Sequence, residues 1–159
     1  MQPAARWAEA VQPTLPASVE SPGGGRSDRP AGRARPALGR LRVRTSELDV
    51  FVSVTLRLAE RTATGEQTGV ATATGALRTV CSATLRAVEQ LTAVPVRFEV
   101  DSVEQLSSGG EGTIVVRLTL VTTSGRDRLT GAAAVRSDAR HAAVRATLAA
   151  VNRRLGTLL

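Results

Sequence analysis

From Val50 to Leu58 apolar and polar residues alternate, with Val50, Val52, Val54, Leu56 and Leu58 on one side and Phe51, Ser53, Thr55 and Arg57 on the other. A period of two predicts a half-buried strand. Leu38, Leu41 and Val43 suggest an earlier strand that opens the folded part near Ala37. The charge, threonine and glycine of Ala59 to Gly65 suit a hairpin turn, and Gln67 to Thr74 reads as a third strand. The period then lengthens. Leu77, Val80, Cys81, Thr84, Leu85, Val88 and Leu91 form one continuous stripe, which predicts a helix that begins at Thr74-Gly75 and is closed by Pro95.

The same order returns in the second half. Val96, Phe98, Val100 and Val103 lead to the turn Ser107 to Gly112, then come a strand over 113–121, a hairpin at Ser124 to Asp127 and a strand over 128–135. A helix follows over 135–155, with Val144, Leu148, Val151 and Leu155 on one face. Ser137 and Asp138 suit its start and Gly156 suits a stop just past its end. Ala83-Thr84-Leu85 matches Ala146-Thr147-Leu148 at a shift of 63, whereas Val52 to Leu58 match Ile114 to Leu120, and Thr68-Gly69 match Thr130-Gly131, at a shift of 62. The chain therefore reads as two copies of one unit, with one residue added between the last strand and the helix of the second. The expected class is α+β: a duplicated βββα unit whose antiparallel sheets are each covered by a helix, side by side as a pair of layers. Alanines at 142, 143, 146, 149 and 150 leave room for another element to approach the second helix.

Composition narrows this picture. In 159 residues there are three aromatics, Trp7, Phe51 and Phe98, so the core must be built of valine, leucine and alanine, and self-association would help it. The first 36 residues hold six of the seven prolines, the Gly23-Gly24-Gly25 run and Arg26, Arg29, Arg33 and Arg35. They are expected to form a disordered tail, and residues 37–159 the folded domain. No apolar run approaches the roughly 20 residues of a membrane span, and the start lacks the apolar stretch of a signal peptide. One cysteine permits no internal disulfide. A cytoplasmic protein without membrane association is the expectation.

The formal charge is +7, and all 21 basic residues are arginine, which resembles a coding bias. Arg57, Arg78, Arg86, Arg117, Arg140 and Arg145 are scattered along the folded part and no aromatic stacking platform accompanies them, which argues against nucleic acid as a partner. Catalysis lacks its usual groups: His141 is the sole histidine and lies off the apolar stripe of its helix, and Cys81 lies inside one. Clustered metal ligands and a phosphate-cradling loop are absent from the sequence. No enzyme, metal or cofactor is expected.

Val135, Asp138, Ala142, Arg145, Ala146, Leu148, Ala150, Val151, Asn152 and Arg153, with Gly131 before them, resemble the last helix of the C-terminal regulatory and dimerisation domain of 2-isopropylmalate synthase and citramalate synthase. Phe98 to Val103 and Gly112 to Leu118 are similar to that family's second-unit strands, so the resemblance covers residues 37–159. The family's Gly-Pro and acidic residue before the first helix are replaced by Gly69, Thr74, Gly75 and Ala76, and its Gly-Thr-Asp-Ala turn by Ser107 to Gly112. The resemblance implies a non-catalytic module that forms a homodimer and binds a branched-chain amino acid or related acid, acting on a protein partner. The alternatives are a structural dimer without ligand and a basic nucleic-acid-binding protein.

A ligand site is expected where the two helices begin. Thr74, Gly75 and Ala76 offer free N–H groups to a carboxylate, Asp138 offers a charge to an ammonium group, and the turn with Ser107, Gly109 and Gly110 could close over the ligand by backbone contacts.

Overall fold

The structure is a computed structural model that describes residues 34–159; the expected tail falls, up to residue 33, outside the described residues. Strands β1 (Ala37–Thr45), β2 (Asp49–Leu58) and β3 (Arg61–Val70) form one antiparallel sheet, followed by α1 (Ala73–Leu91). Strands β4 (Arg97–Ser108), β5 (Glu111–Thr122) and β6 (Gly125–Val135) form a second, followed by α2 (Ala139–Leu158). The fold is the expected duplicated βββα arrangement. The alternation in β2 holds residue by residue: Val50, Val52, Val54, Leu56 and Leu58 are buried, and Ile114, Val116, Leu118 and Leu120 repeat this in β5.

Both sheets share an irregularity in their first strand. A bulge lies between Leu38 and Arg40 in β1 and between Val100 and Ser102 in β4, leaving Gly39 and Asp101 as equivalent extra residues. From α1, Arg78 donates to the carbonyl of Val100 and, at 3.3 Å, to that of Asp101. The guanidinium thus satisfies carbonyls of the disrupted segment. This ties the first helix to the second sheet, so α1 lies against β2, β3 and β4. Each sheet is covered by its own helix, as expected, and α1 reaches β4 of the second sheet as well.

The third strands are made of small residues where the helices cross them. In β3 the inward positions are Ala63, Gly65, Gln67 and Gly69, and in β6 Gly131 and Ala133 stand in the same row. A Cβ on Gly65 would lie 2.0 Å from the Ala83 carbonyl oxygen, and one on Gly131 would lie 2.0 Å from that of Ala146. Each helix backbone therefore rests directly on its third strand. These two glycines are equivalents, since Val54 pairs with Gly65 and Val116 with Gly131.

That equivalence corrects the repeat as read from sequence. The offset is 62 at Val54/Val116, 66 at Gly65/Gly131 and 63 at Ala83/Ala146. The second hairpin is longer by four residues, and the link from third strand to helix is shorter by three. The match of Gly69 with Gly131 was a coincidence of the net shift. The turns move accordingly: β2 and β3 are joined by Ala59 and Glu60 alone, with Ala59 at φ 49°, so β3 starts at Arg61 inside the stretch expected as a loop.

The helices run side by side in the same direction. Cys81 of α1 meets Thr147 of α2, and the Ala93 N–H just past α1 donates to the Leu158 carbonyl at 2.8 Å. Thr84 and Thr147 are both buried, and each donates back to the carbonyl four residues earlier, Val80 at 2.8 Å and Ala143 at 2.8 Å. Every member of the α1 stripe is buried, as are Val144, Leu148, Val151 and Leu155 of α2. Gly156 lies within α2 rather than past it, and the helix continues to Leu158, whose side chain closes a small cluster with Val96 and Leu120.

The close approach at the glycines predicts that Gly131→Ala should lower stability by about 1 to 3 kcal/mol, because either the strand or the α2 backbone must move. Gly112→Ala, whose Cβ would meet only side-chain atoms, Val135 at 3.3 Å and Gln105 at 3.8 Å, should cost less in the same denaturant titration. Leu148→Ala should cost about 2 to 5 kcal/mol through the cavity it leaves, and exposed Arg140→Ala should stay within about 0.5 kcal/mol.

Candidate functional site

The parallel helices bring both N-termini to one end of the domain. At α1, Thr72 is the N-cap, and its hydroxyl accepts from the Gly75 N–H at 2.9 Å. The Ala76 N–H donates to the Thr72 carbonyl at 2.8 Å. Thr74, Gly75 and Ala76 are thus inside the first turn, one turn position later than expected. Two of their N–H groups are already used. A Cβ at Gly75 would lie 2.4 Å from the Val70 carbonyl oxygen, so this glycine is required by the turn itself.

At α2, Asp138 is the N-cap as expected. One carboxylate oxygen accepts from the Arg140 N–H at 2.8 Å, and the other lies 3.4 Å from His141 Nδ1. Gly109 and Gly110 form the tip of the β4–β5 hairpin at φ 60° and 88°, a conformation open to glycine in both central positions. Ser107 sits just before them at the exposed end of β4. The hairpin tip belongs to the α2 end of the second sheet, since Gly112 pairs with Val135. The three groups occupy three elements, and no hydrogen bond or ion pair joins one group to another among the described residues.

Large apolar side chains stand exposed around this end. Leu48, in the β1–β2 turn, is 77% exposed and Val70, at the end of β3, 64%; the Ala71 N–H donates to the Leu48 carbonyl and holds them together. Leu106, near the hairpin tip, is 51% exposed. Single apolar residues at strand ends carry no periodic signal, so the sequence does not mark these three.

A groove of about 500 Å³ lies elsewhere, along the polar stripe of α1 between β3 and β4. Gln67, Arg78, Ser82, Arg86, Glu89 and Arg97 are among its lining residues. Glu89 is the organising group: one oxygen accepts from the Phe98 N–H at 2.9 Å, and the other pairs with Arg97 at 3.1 Å. The carboxylate holds the first residues of β4 onto the last turns of α1. Its signal in the sequence was the spacing of Arg78, Ser82, Arg86 and Glu89, the one polar line on a helix otherwise covered.

Among the described residues no group of three or more His, Cys, Asp or Glu is arranged to hold a metal ion, and no helix is long and apolar enough to cross a membrane. Cys81 is fully buried. Burial pushes its thiol up to about 11, against smaller opposing effects of the Thr147 hydroxyl and Arg78. A thiol held protonated in a helix–helix contact is no nucleophile at neutral pH. His141 is half exposed on the surface of α2.

No protein-family model matches the chain, and no curated protein matches it in sequence.

The raised thiol has a consequence for stability. Unfolding exposes Cys81, whose ordinary value is 9.0, so above that pH the unfolded chain loses a proton that the folded chain keeps. The contribution is fully present below about pH 9 and lost as pH rises through about 11. The loss should approach about 2 to 3 kcal/mol. Cys81→Ala should remove this slope from denaturation curves recorded between those pH values.

Proposed function

We propose that the chain is a non-catalytic binding and dimerisation module, similar in plan to the regulatory domain of 2-isopropylmalate synthase. The observation that carries this reading is the end of the domain where both helices begin, rimmed by exposed Leu48, Val70 and Leu106. Large apolar side chains exposed around helix N-termini suit a second copy of the chain, which would cover them.

An α-amino acid with an apolar side chain fits the same place. The first N–H groups of α1 left over by the Thr72 cap face a carboxylate, Asp138 faces an ammonium group, and the apolar rim receives the side chain. Branched-chain amino acids and their 2-keto acids are the compounds to try. The second reading is a structural dimer without ligand, favoured by the use of Asp138 and Thr72 as caps within their own helices.

Sedimentation velocity at micromolar concentration should show a dimer, and Leu48→Glu with Val70→Glu should return it to a monomer of 16.6 kDa with unchanged circular dichroism. A wild-type monomer would refute the dimer. Calorimetric titration with leucine, isoleucine, valine and their keto acids tests the ligand. Asp138→Asn is the informative variant, because asparagine still caps the helix while the charge is lost; Gly75→Val is unsuitable, since it would break the turn. Heat that survives Asp138→Asn undiminished removes this ligand site, and no heat with any compound leaves the structural dimer.

A further inference from the structure

The register of the first sheet gathers arginines that look unrelated in sequence. In β1, Leu38, Leu41 and Val43 pack on the core, which turns Arg40, Arg42 and Arg44 to the outer face. Arg40 stands opposite Thr55, Arg42 opposite Ser53 and Arg44 opposite Phe51. Arg57, opposite Ala37, lies on the same face between buried Leu56 and Leu58, its side chain passing 3.2 Å from the position a Gly39 Cβ would take. The remaining outward positions are Asp49 at the start of β2 and Thr62, Thr64, Glu66, Thr68 and Val70 of β3. Four cations therefore share a hydroxyl-lined face with two acids, Asp49 and Glu66, and none of the four is in ion-pair contact with either.

The second copy of the unit is an internal control. Its β4 carries Glu99, Asp101, Ser102, Glu104 and Leu106 where β1 carries Ala37, Gly39, Arg40, Arg42 and Arg44. Acids there offset the cations: Glu99, Asp101 and Glu104 share the face with Arg117, Arg126 and Arg128, and Arg117 meets Glu104 at 3.1 Å. On the first sheet none of Arg40, Arg42, Arg44 and Arg57 has an ion-pair partner among the described residues. Like charges held side by side with no acid in contact raise the energy of the isolated domain, and a polyanion relieves that cost.

We infer that the outer face of the β1–β2–β3 sheet binds the backbone of a single-stranded nucleic acid. This goes beyond the ligand and dimer reading and rests on different residues. Successive arginines on one face of a strand stand about 7 Å apart, a straight row that suits a linear chain of phosphates. The face is a sheet rather than a protruding helix or ribbon, so it does not enter a duplex groove. Phe51 beside Arg44 provides one surface for a base to stack on, and Ser53, Thr55 and Thr64 provide hydroxyls for phosphate or base. Phe51 and Val70 are the two large apolar side chains on this face, too few for a membrane-inserting surface. Binding is by charge and insensitive to base sequence.

The test is fluorescence anisotropy of the full chain with a labelled single-stranded oligonucleotide, across a salt series. Neutralisation of about four phosphates gives a log–log salt slope of about −2.8, which is about fifty-fold weaker binding at 200 mM than at 50 mM salt. Arg40→Gln, Arg42→Gln and Arg44→Gln together should weaken binding more than tenfold at 50 mM and flatten the slope by about two. Two charge-matched controls should leave the slope nearly unchanged: Arg126, Arg128 and Arg136 to Gln on the second unit, and Arg26, Arg29 and Arg33 to Gln in the preceding stretch. All three variants are checked for folding by circular dichroism. The proposal is overturned by no binding at 50 mM, by equal losses in a control triple, by a duplex bound as tightly as the single strand, or by binding to anionic vesicles with none to the oligonucleotide.

Discussion

Each helix backbone in this domain lies on a glycine of the strand before it, and that contact sets the rest of the architecture. At Gly65 and Gly131 the helix carbonyl stands where a side chain would be. The middle strand of each sheet carries valine, leucine and isoleucine while the third strand carries glycine and alanine, so the inner surface is tall in the middle and low at one edge. A helix settles into the low side. With so little space between backbones, a core of Val, Leu and Ala can fill the domain to the point where Val52, Val54, Leu56, Ile114, Val116 and Leu118 show no exposure. Aromatic side chains, which need a deeper gap, are not required. The seating of α1 on β3 also leaves its other flank free to meet β4, and Arg78 completes that contact through the bulge.

Much of this was legible in the sequence, because the period of two in β2 and β5 and the unbroken stripe of α1 are each dictated by burial on one side. What the sequence hid was where residues had been inserted. Four residues gained in the second hairpin and three lost before α2 nearly cancel, so an alignment by net shift placed Gly131 against Gly69 when its partner in the fold is Gly65. Only the pairing register separates the two. Hairpin ends were misplaced for a related reason: Ala59 adopts a positive φ that alanine rarely takes, and no glycine marks that turn. Of the candidate ligand site, the caps were partly visible, Asp138 as an acid ahead of a periodic stretch. Thr72 is hidden because the threonine-rich pattern of β3 runs on to Thr74, four residues past the end of the strand at Val70.

Copies that share a backbone plan have been joined unequally. Glu89 near the end of α1 accepts from the Phe98 N–H. The equivalent residues in the other copy are Asn152 and Pro36, which share the lining of one cavity. Proline has no N–H to give, and the Asn152 side-chain oxygen is buried without a partner among the described residues. Arg145 of α2 turns to the Ala134 carbonyl of its own β6 at 2.6 Å rather than to the first sheet. The firm cross-connection therefore runs from α1 to β4, and β1 is held mainly by β2 and by the half-buried Leu38, Leu41 and Val43.

A loosely covered edge strand invites pairing with another chain, and charged side chains are a common guard against it. Guarding alone does not account for β1. The outer positions of β3, an edge strand of the same sheet, are Thr62, Thr64, Glu66 and Thr68, and β4, an edge of the other, carries Glu99, Ser102, Glu104 and Leu106. The remaining edge, β6, carries Arg126 and Arg128, but its sheet face also holds Glu99, Asp101 and Glu104. If protection of edges were the only requirement, Arg57 would not be added to the β1 row from the middle strand, which has no edge to protect. Four cations converge on one face of one copy while the matching face of the other balances its charges. The divergence between the two copies is one of charge on a common backbone, and it sits on a surface that the core does not need.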